Sequence, residues 1–289
     1  MDEESPTTET SSTETSQLVV VKTSRHRILK ELGRGGMSET YQAEDTNSGA
    51  LVCIKRLHSF RNQRSLMQEC RALARLSHPY IVHLLDFDTM SEYPYLVTEY
   101  IEGTPLNTFV RRTGSLPQVS ALQLCLRLFK AIAYAHAQDV IHRDLKPSNL
   151  FIAAPEEDLV PKILDFGLAI VASRDETDAL TGAESFAGTL PYMAPEQIQG
   201  ARLSSASDVY AVGQILWELL VGEPAFGGSS VQQVCAKKLA LEDGLRLQNC
   251  ANESLSKLVS DCTSKKPERR PTAAEAAELL NNVVLQGMW

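Results

Sequence analysis

From Arg27 onward the chain changes its patterning once, at Glu102, Gly103, Thr104 and Pro105. Upstream, apolar runs rich in strand-forming residues predict strands over 28–33, 40–44 and 51–55, and the residues from Asp45 to Ala50 supply turn chemistry between the second and third. A helix is predicted over 62–76 and a further strand over 95–100. Downstream the period lengthens. Leu122, Leu126, Phe129 and Ala133 recur at helical spacing and so share one helix face. Two more helices are predicted over 205–221 and 272–283, and no internal repeat is visible. A small β-rich lobe with one main helix, followed by a larger α-helical lobe, makes an α+β chain with a cleft between its lobes.

Composition narrows the class. The formal net charge is −8, of which residues 1–18 carry −5, leaving −3 on the rest. That balance gives no footprint for nucleic acid or for a membrane surface. Residues 1–24 read as a disordered, acidic, Ser/Thr-rich leader. The folded domain is placed at 25–283, with the small lobe over about 25–100, the large lobe over about 104–283 and a tail over 284–289. The six cysteines show no metal-ligand spacing, which predicts free thiols in a reducing, cytoplasmic compartment. The apolar run over 209–221 contains Gln214 and Glu218 and is too short to span a bilayer, so it is read as a buried core helix, with no membrane segment within the chain.

Three motifs carry chemistry. Gly33, Gly35 and Gly36, with Ser38, lie between two predicted strands, where a backbone without side chains can approach phosphates. Alone, such a cluster more often marks an ordinary hairpin. A strand follows it, which excludes a dinucleotide-binding fold, where a helix would follow. Lys55 ends an apolar strand, a place where a lysine is usually a solvated edge charge. The run from His142 to Asn149, HRDLKPSN, is the decisive one, since chance occurrence of its six specified positions is of order one in 10⁵. Asp165-Phe166-Gly167 and Ala194-Pro195-Glu196 follow it in order.

From about Arg27 to about Asn282 the sequence resembles the protein kinase superfamily. The phrasing of LGRGGM, YMAPEQ and SDVYAVG is most similar to bacterial Hanks-type Ser/Thr kinases. The resemblance implies a bilobal kinase fold with ATP in the cleft, Mg²⁺ as cofactor (Mn²⁺ as an alternative) and protein substrates. Lys55 would pair with the α/β-phosphates and with Glu69, which lies nine residues before His78. Asn149 and Asp165 would ligate the metal, Asp144 would orient the substrate hydroxyl and accept its proton, and Lys146 would offset charge on the moving phosphoryl group. Thr189 would sit beside the substrate hydroxyl. Lys146 and Thr189 both match Ser/Thr rather than tyrosine specificity. Leu32, Thr40, Cys53, Glu99, Ile101 and Phe151 would line the nucleotide site, with Thr98 guarding the pocket behind. Leu73, Leu84, His142 and Phe166 match the apolar column of active kinases, Asp208 would hold the backbone around His142, and Glu196 would pair with Arg270.

The departures are Ser38 for the third glycine, Thr40 for a valine and Cys53 for an alanine. None removes a group that performs chemistry. Cys53 is read as a buried, inert thiol in preference to a reactive one. Arg143 beside Asp144 suggests activation by phosphorylation within 173–185, with Thr181 favoured. The competing reading is a catalytically quiet scaffold, which would be marked by loss of Lys55, Asp144, Asn149 or Asp165. All four are present. The resemblance also allows a homodimer, and a membrane anchor and sensor beyond the kinase domain.

Overall fold

The computed structural model describes residues 25–286, except 60–62, 154–158, 167–169, 172–189, 202–203, 229, 249 and 251. Strands β1 (His26–Arg34), β2 (Ser38–Asp45) and β3 (Leu51–Leu57) run antiparallel. Helix α1 (Gln63–Leu73) follows, then β4 (Leu84–Asp88) and β5 (Tyr95–Glu99). The sheet order is β1-β2-β3-β5-β4. Strand alternation divides its residues by face. Tyr41, Ala43, Val52, Ile54 and Val97 form one buried cluster. The register pairs Thr40 with Lys55, Lys55 with Leu96, and Cys53 with Thr98, so these residues share the other face. On that face Leu96 packs with Leu57 and with Leu66 and Cys70 of α1. The pleat thereby points Lys55 towards α1 and away from solvent.

The large lobe follows as β6 (Thr104–Pro105), α2 (Leu106–Thr113), α3 (Gln118–Ala137), β7 (Val140–Ile141), β8 (Leu150–Ile152), β9 (Pro161–Ile163) and β10 (Ile170–Val171). The helices α4 (Pro195–Ile198), α5 (Ser205–Val221), α6 (Val231–Ala240), α7 (Glu253–Cys262) and α8 (Ala273–Gln286) complete it. One core cluster runs through α3, α5, α7 and α8 and reaches Leu73, Leu76, Ile81 and Val82 of the small lobe. The α+β bilobal expectation therefore holds.

Helix α3 departs from the expected single apolar face. Besides Leu122, Leu126 and Phe129 it buries Ala121, Leu124, Cys125, Leu128, Ala131, Ile132 and Ala135, because neighbours cover it on several sides. Helix α5 is the predicted core helix, with Ser207, Asp208, Gln214 and Glu218 buried among its apolar residues. It ends at Gly222, whose φ is +91° and where a Cβ would lie 2.8 Å from the Ser115 nitrogen, so glycine is required on both counts. Helix α1 stops three residues before the predicted 76, where Arg75 and Leu76 turn back to the carbonyls of Ala72 and Leu73.

Candidate active site

Lys55 joins three elements at the cleft. Its Nζ donates to Glu69 Oε2 at 2.8 Å and Oε1 at 3.1 Å, and to Asp165 Oδ1 at 2.9 Å. Glu69 is buried in α1, whereas the Asp165 side chain is 47% exposed towards the cleft. One ammonium thus faces two carboxylates. Burial alone would lower the Lys55 pKa, but Glu69 and Asp165 outweigh it and hold the lysine charged. Burial pushes the Glu69 carboxyl up, to about 7; Lys55 pulls against that shift and the nearby Asp165 charge adds to it. Asp165 itself sits at φ 52°, a left-handed conformation that costs a non-glycine residue energy.

The loop from His142 to Asn149 is held from below by α5. Asp208 accepts the backbone N–H of His142 at 2.9 Å and of Arg143 at 2.8 Å, and its Oδ2 lies 2.8 Å from His136 Nε2. Burial would raise the Asp208 carboxyl, but His136, His142 and these bonds hold it below its ordinary value. Arg143 is left-handed at φ 69°, and Gln197 Nε2 donates to its carbonyl at 2.8 Å. The strained backbone is therefore gripped on both sides. At the tip, Asp144 Oδ2 accepts from Lys146 Nζ at 2.8 Å and from Asn149 Nδ2 at 3.1 Å. Asn149 Nδ2 also donates to the Asp144 carbonyl at 3.0 Å, which commits its nitrogen to this loop and leaves its amide oxygen as an acceptor. Asp144 Oδ1 is buried without a hydrogen-bond partner among the described residues. A buried acceptor without a donor is unusual in a folded protein.

The rings of His142 and Phe166 lie 4.5 Å apart, both buried, and His142 Nε2 is 3.2 Å from the Leu164 carbonyl. Phe166 shares the large core with Leu73, against which Leu84 packs. On the cleft face of the sheet Cys53 is half-buried rather than fully buried as expected, and desolvation by its surroundings pushes its thiol up to about 11, away from the reactive thiolate. The Thr98 hydroxyl donates to the Glu99 carbonyl at 3.2 Å. Glu99 Oε1 accepts from Lys162 Nζ at 2.7 Å and from the His83 N–H at 3.0 Å, pinning the strand that joins the lobes. Phe151 lies opposite Lys162 in β8, Ile101 is half-buried and Leu32 is exposed. Gly35 N–H donates to the Ser38 carbonyl at 2.8 Å, and nothing lies within 4 Å of a Cβ built on Gly33 or Gly36. Backbone on that side of the loop is open to a ligand. Thr189, Gly167, Thr181 and the other residues of 173–185 lie outside the described residues.

Beneath the site, Arg270 forms a two-pronged pair with Glu196, at 2.7 and 2.8 Å, and Ser207 Oγ donates to Glu196 at 2.8 Å. Sequence reading missed His136, Gln197, Lys162 and His83. Gln197 adjoins Glu196 and His136 lies six residues before His142, but their roles depend on which backbone atoms fold beside them. It also missed buried Glu39, which binds Arg56, Arg34 and the Tyr41 hydroxyl at the base of the glycine loop.

A family model described as protein kinase domain matches residues 26–281. The chain is 35% identical over 267 residues to a Lactococcus lactis protein named "Probable serine/threonine-protein kinase PknB", covering 90% of this chain and 41% of that protein. It is 33% identical to serine/threonine-protein kinase PrkC of Bacillus subtilis, covering 88% and 39%, and 32% identical to serine/threonine-protein kinase PkaA of Streptomyces coelicolor, covering 92% and 51%. The chain therefore spans about two fifths to half of the length of these relatives. Among the described residues no helix is long and apolar enough to cross a membrane. With Lys55 bridged to Glu69 and Asp165, the loop of Asp144 anchored on Asp208, and the match running through both lobes, this chain belongs to the protein kinase family.

Proposed function

We propose that this chain is the catalytic domain of a cytoplasmic serine/threonine protein kinase, transferring the γ-phosphoryl group of ATP to protein hydroxyls. One observation carries the reading: the unpartnered Asp144 Oδ1 lies on the same carboxylate whose other oxygen is held by Lys146 and Asn149. A substrate hydroxyl bound at the Asp144 carboxylate is oriented for attack and gives up its proton there as the new O–P bond forms. The β–γ bridging bond breaks and its electron pair leaves with ADP. Lys146, beside Asp144, offsets charge on the group in transfer. Lys55, fixed by Glu69, holds the α/β-phosphates under the backbone of Gly33, Gly35 and Gly36.

Asp165 and the Asn149 amide oxygen offer hard oxygen donors of the kind Mg²⁺ or Mn²⁺ takes, so these residues fit the metal. When bound, the metal neutralises phosphate charge. Leu32, Thr40, Cys53 and Phe151 would enclose the base, with the backbone of Glu99 and Ile101 reading its edge. Thr189 is assigned to the substrate hydroxyl, within a docking segment over 189–196. Thr181 is the proposed autophosphorylation site, drawn to Arg143. The domain is assigned to 25–283, behind a leader over 1–24.

Intact mass before and after Mg-ATP, with a generic Ser/Thr protein substrate in parallel, tests this. Wild type should gain phosphate on itself or on the substrate, and Asp144→Asn on neither. Transfer by Asp144→Asn at the wild-type rate would remove Asp144 from the chemistry. No transfer by wild type to either acceptor would overturn the kinase reading.

A further inference from the structure

Residues 190–193, which lead away from Thr189, rest on buried polar side chains of α5 and α6. Gln214 Nε2 donates to the Pro191 carbonyl at 2.9 Å, and the Tyr192 hydroxyl donates to Glu218 Oε2 at 2.6 Å. Lys238 Nζ donates to the Met193 carbonyl at 2.7 Å and to Gln214 Oε1 at 3.1 Å. Lys238 is fully buried, and neither of these partners is a carboxylate. Its Nζ lies 5.0 Å from the centre of the Tyr210 ring and 4.6 Å from that of Phe226. Besides Tyr210, the charged and titratable groups that face it among the described residues are Arg270 and Glu196, which are paired to each other, and Cys235 on its own helix. A buried lysine without a carboxylate is costly, and burial pushes this one down to about 6. A neutral amine still donates two hydrogen bonds, the number used here, so the contact survives at neutral pH.

We propose that Lys238 and Gln214 are positioning residues for the protein substrate, clamping the backbone of 191–193 at the height from which the docking segment meets the loop of Asp144. The path is continuous. The chain passes from Met193 into α4, where Gln197 donates to the Arg143 carbonyl, one residue before Asp144. The hydrogen bonds of Lys238 and Gln214 run to the backbone of 191–193 and to each other, so ATP handling should not depend on them. The inference rests on the kinase reading and on its assignment of 189–196 to substrate docking.

Steady-state phosphorylation of a Ser/Thr-containing peptide separates the two. Lys238→Met and Gln214→Leu should each raise the peptide KM about five- to tenfold, with the ATP KM and peptide-independent ATP hydrolysis within about twofold of wild type. Gln214→Glu keeps an acceptor for Lys238 but loses the donor to Pro191, and should fall between. An unchanged peptide KM in folded Lys238→Met overturns the clamp, as does a parallel loss of peptide and ATP parameters that follows only a lowered Tm. If Lys238→Met does not fold, Gln214→Glu decides by the same comparison. A wild type that hydrolyses ATP but phosphorylates no peptide fails the kinase reading itself, and the clamp with it.

Discussion

Glu69 and Glu196 are both buried glutamates paired with a cation, and their carboxyls shift in opposite directions. Burial opposes ionisation at each. At Glu196 the Arg270 guanidinium engages both oxygens and Ser207 adds a third donor, so the carboxyl falls below its ordinary value despite burial. At Glu69 the cation is an ammonium shared with Asp165, and the carboxyl rises to about 7. The first site is electrostatically closed, with every partner committed. The second has more negative charge than its lysine satisfies, in a cleft that opens to solvent at Asp165. The contrast separates a pair that organises the fold from a pair arranged to receive something cationic or to redirect its lysine.

The largest effect that would break the comparison is at the closed pair. Arg270→Met should cost about 3–5 kcal/mol, since it leaves Glu196 buried with only Ser207 and backbone donors. Denaturant unfolding measures this directly. A loss below about 1 kcal/mol would mean that water or a neighbouring cation replaces the guanidinium, and the two pairs would no longer differ in kind.

Next comes Lys55→Met, which should behave in the opposite way. Phosphoryl transfer should fall about a hundredfold or more, because a preorganised charge on the phosphates is lost. Stability should change by less than about 1 kcal/mol, since removing the ammonium lets Glu69 take up a proton and become neutral. Single-turnover rates and unfolding curves on one preparation test both halves. Unchanged transfer would refute the assigned role of Lys55, and a collapse in stability would make its pair with Glu69 as structural as that of Glu196.

Both pairs were legible in the sequence, but not the difference between them. Lys55 with Glu69, and Glu196 with Arg270, could be matched because each residue stands at a fixed spacing within a motif. The sharing of Lys55 with Asp165 could not, because it depends on the backbone at Asp165 and on how far the cleft closes. In the fold, the long strands and α5 were visible from their patterns. Strands of two or three residues such as β6, β7 and β10 are too short to show a period. Strand β4 was missed because Asp86 and Asp88 interrupt its apolar run at an exposed edge. Helix α6 was missed because its polar residues give no apolar stripe, and its most buried side chain is a lysine. Lys238 reads as a surface residue until the carbonyl of Met193 is placed beside it.

The smallest effect sharpens the comparison through pH. A carboxyl raised from 4.5 to about 7 on folding binds a proton that the unfolded chain has released. Its contribution is fully present below about 4.5 and is lost as pH rises through about 7. Glu196 and Asp208 have the opposite sign: lowered on folding, their contribution is present above the ordinary carboxylate range and lost only on acidification. Between pH 5 and 8 those two are already ionised in both states; Lys238, lowered to about 6, with His26, His78 and Glu218, adds slope there in wild type and Glu69→Gln alike, so the difference between the two proteins isolates Glu69. Without nucleotide, wild type should lose about 1–2 kcal/mol more than Glu69→Gln between pH 5 and 8, a figure below the ceiling set by about 1.4 kcal/mol per pKa unit because Lys55 shares the charge. Parallel Tm-against-pH curves for the two proteins would place Glu69 with Glu196 as a carboxylate fully satisfied by its cation. Curves that diverge above pH 6 would leave the cleft as the region where folding and charge balance conflict.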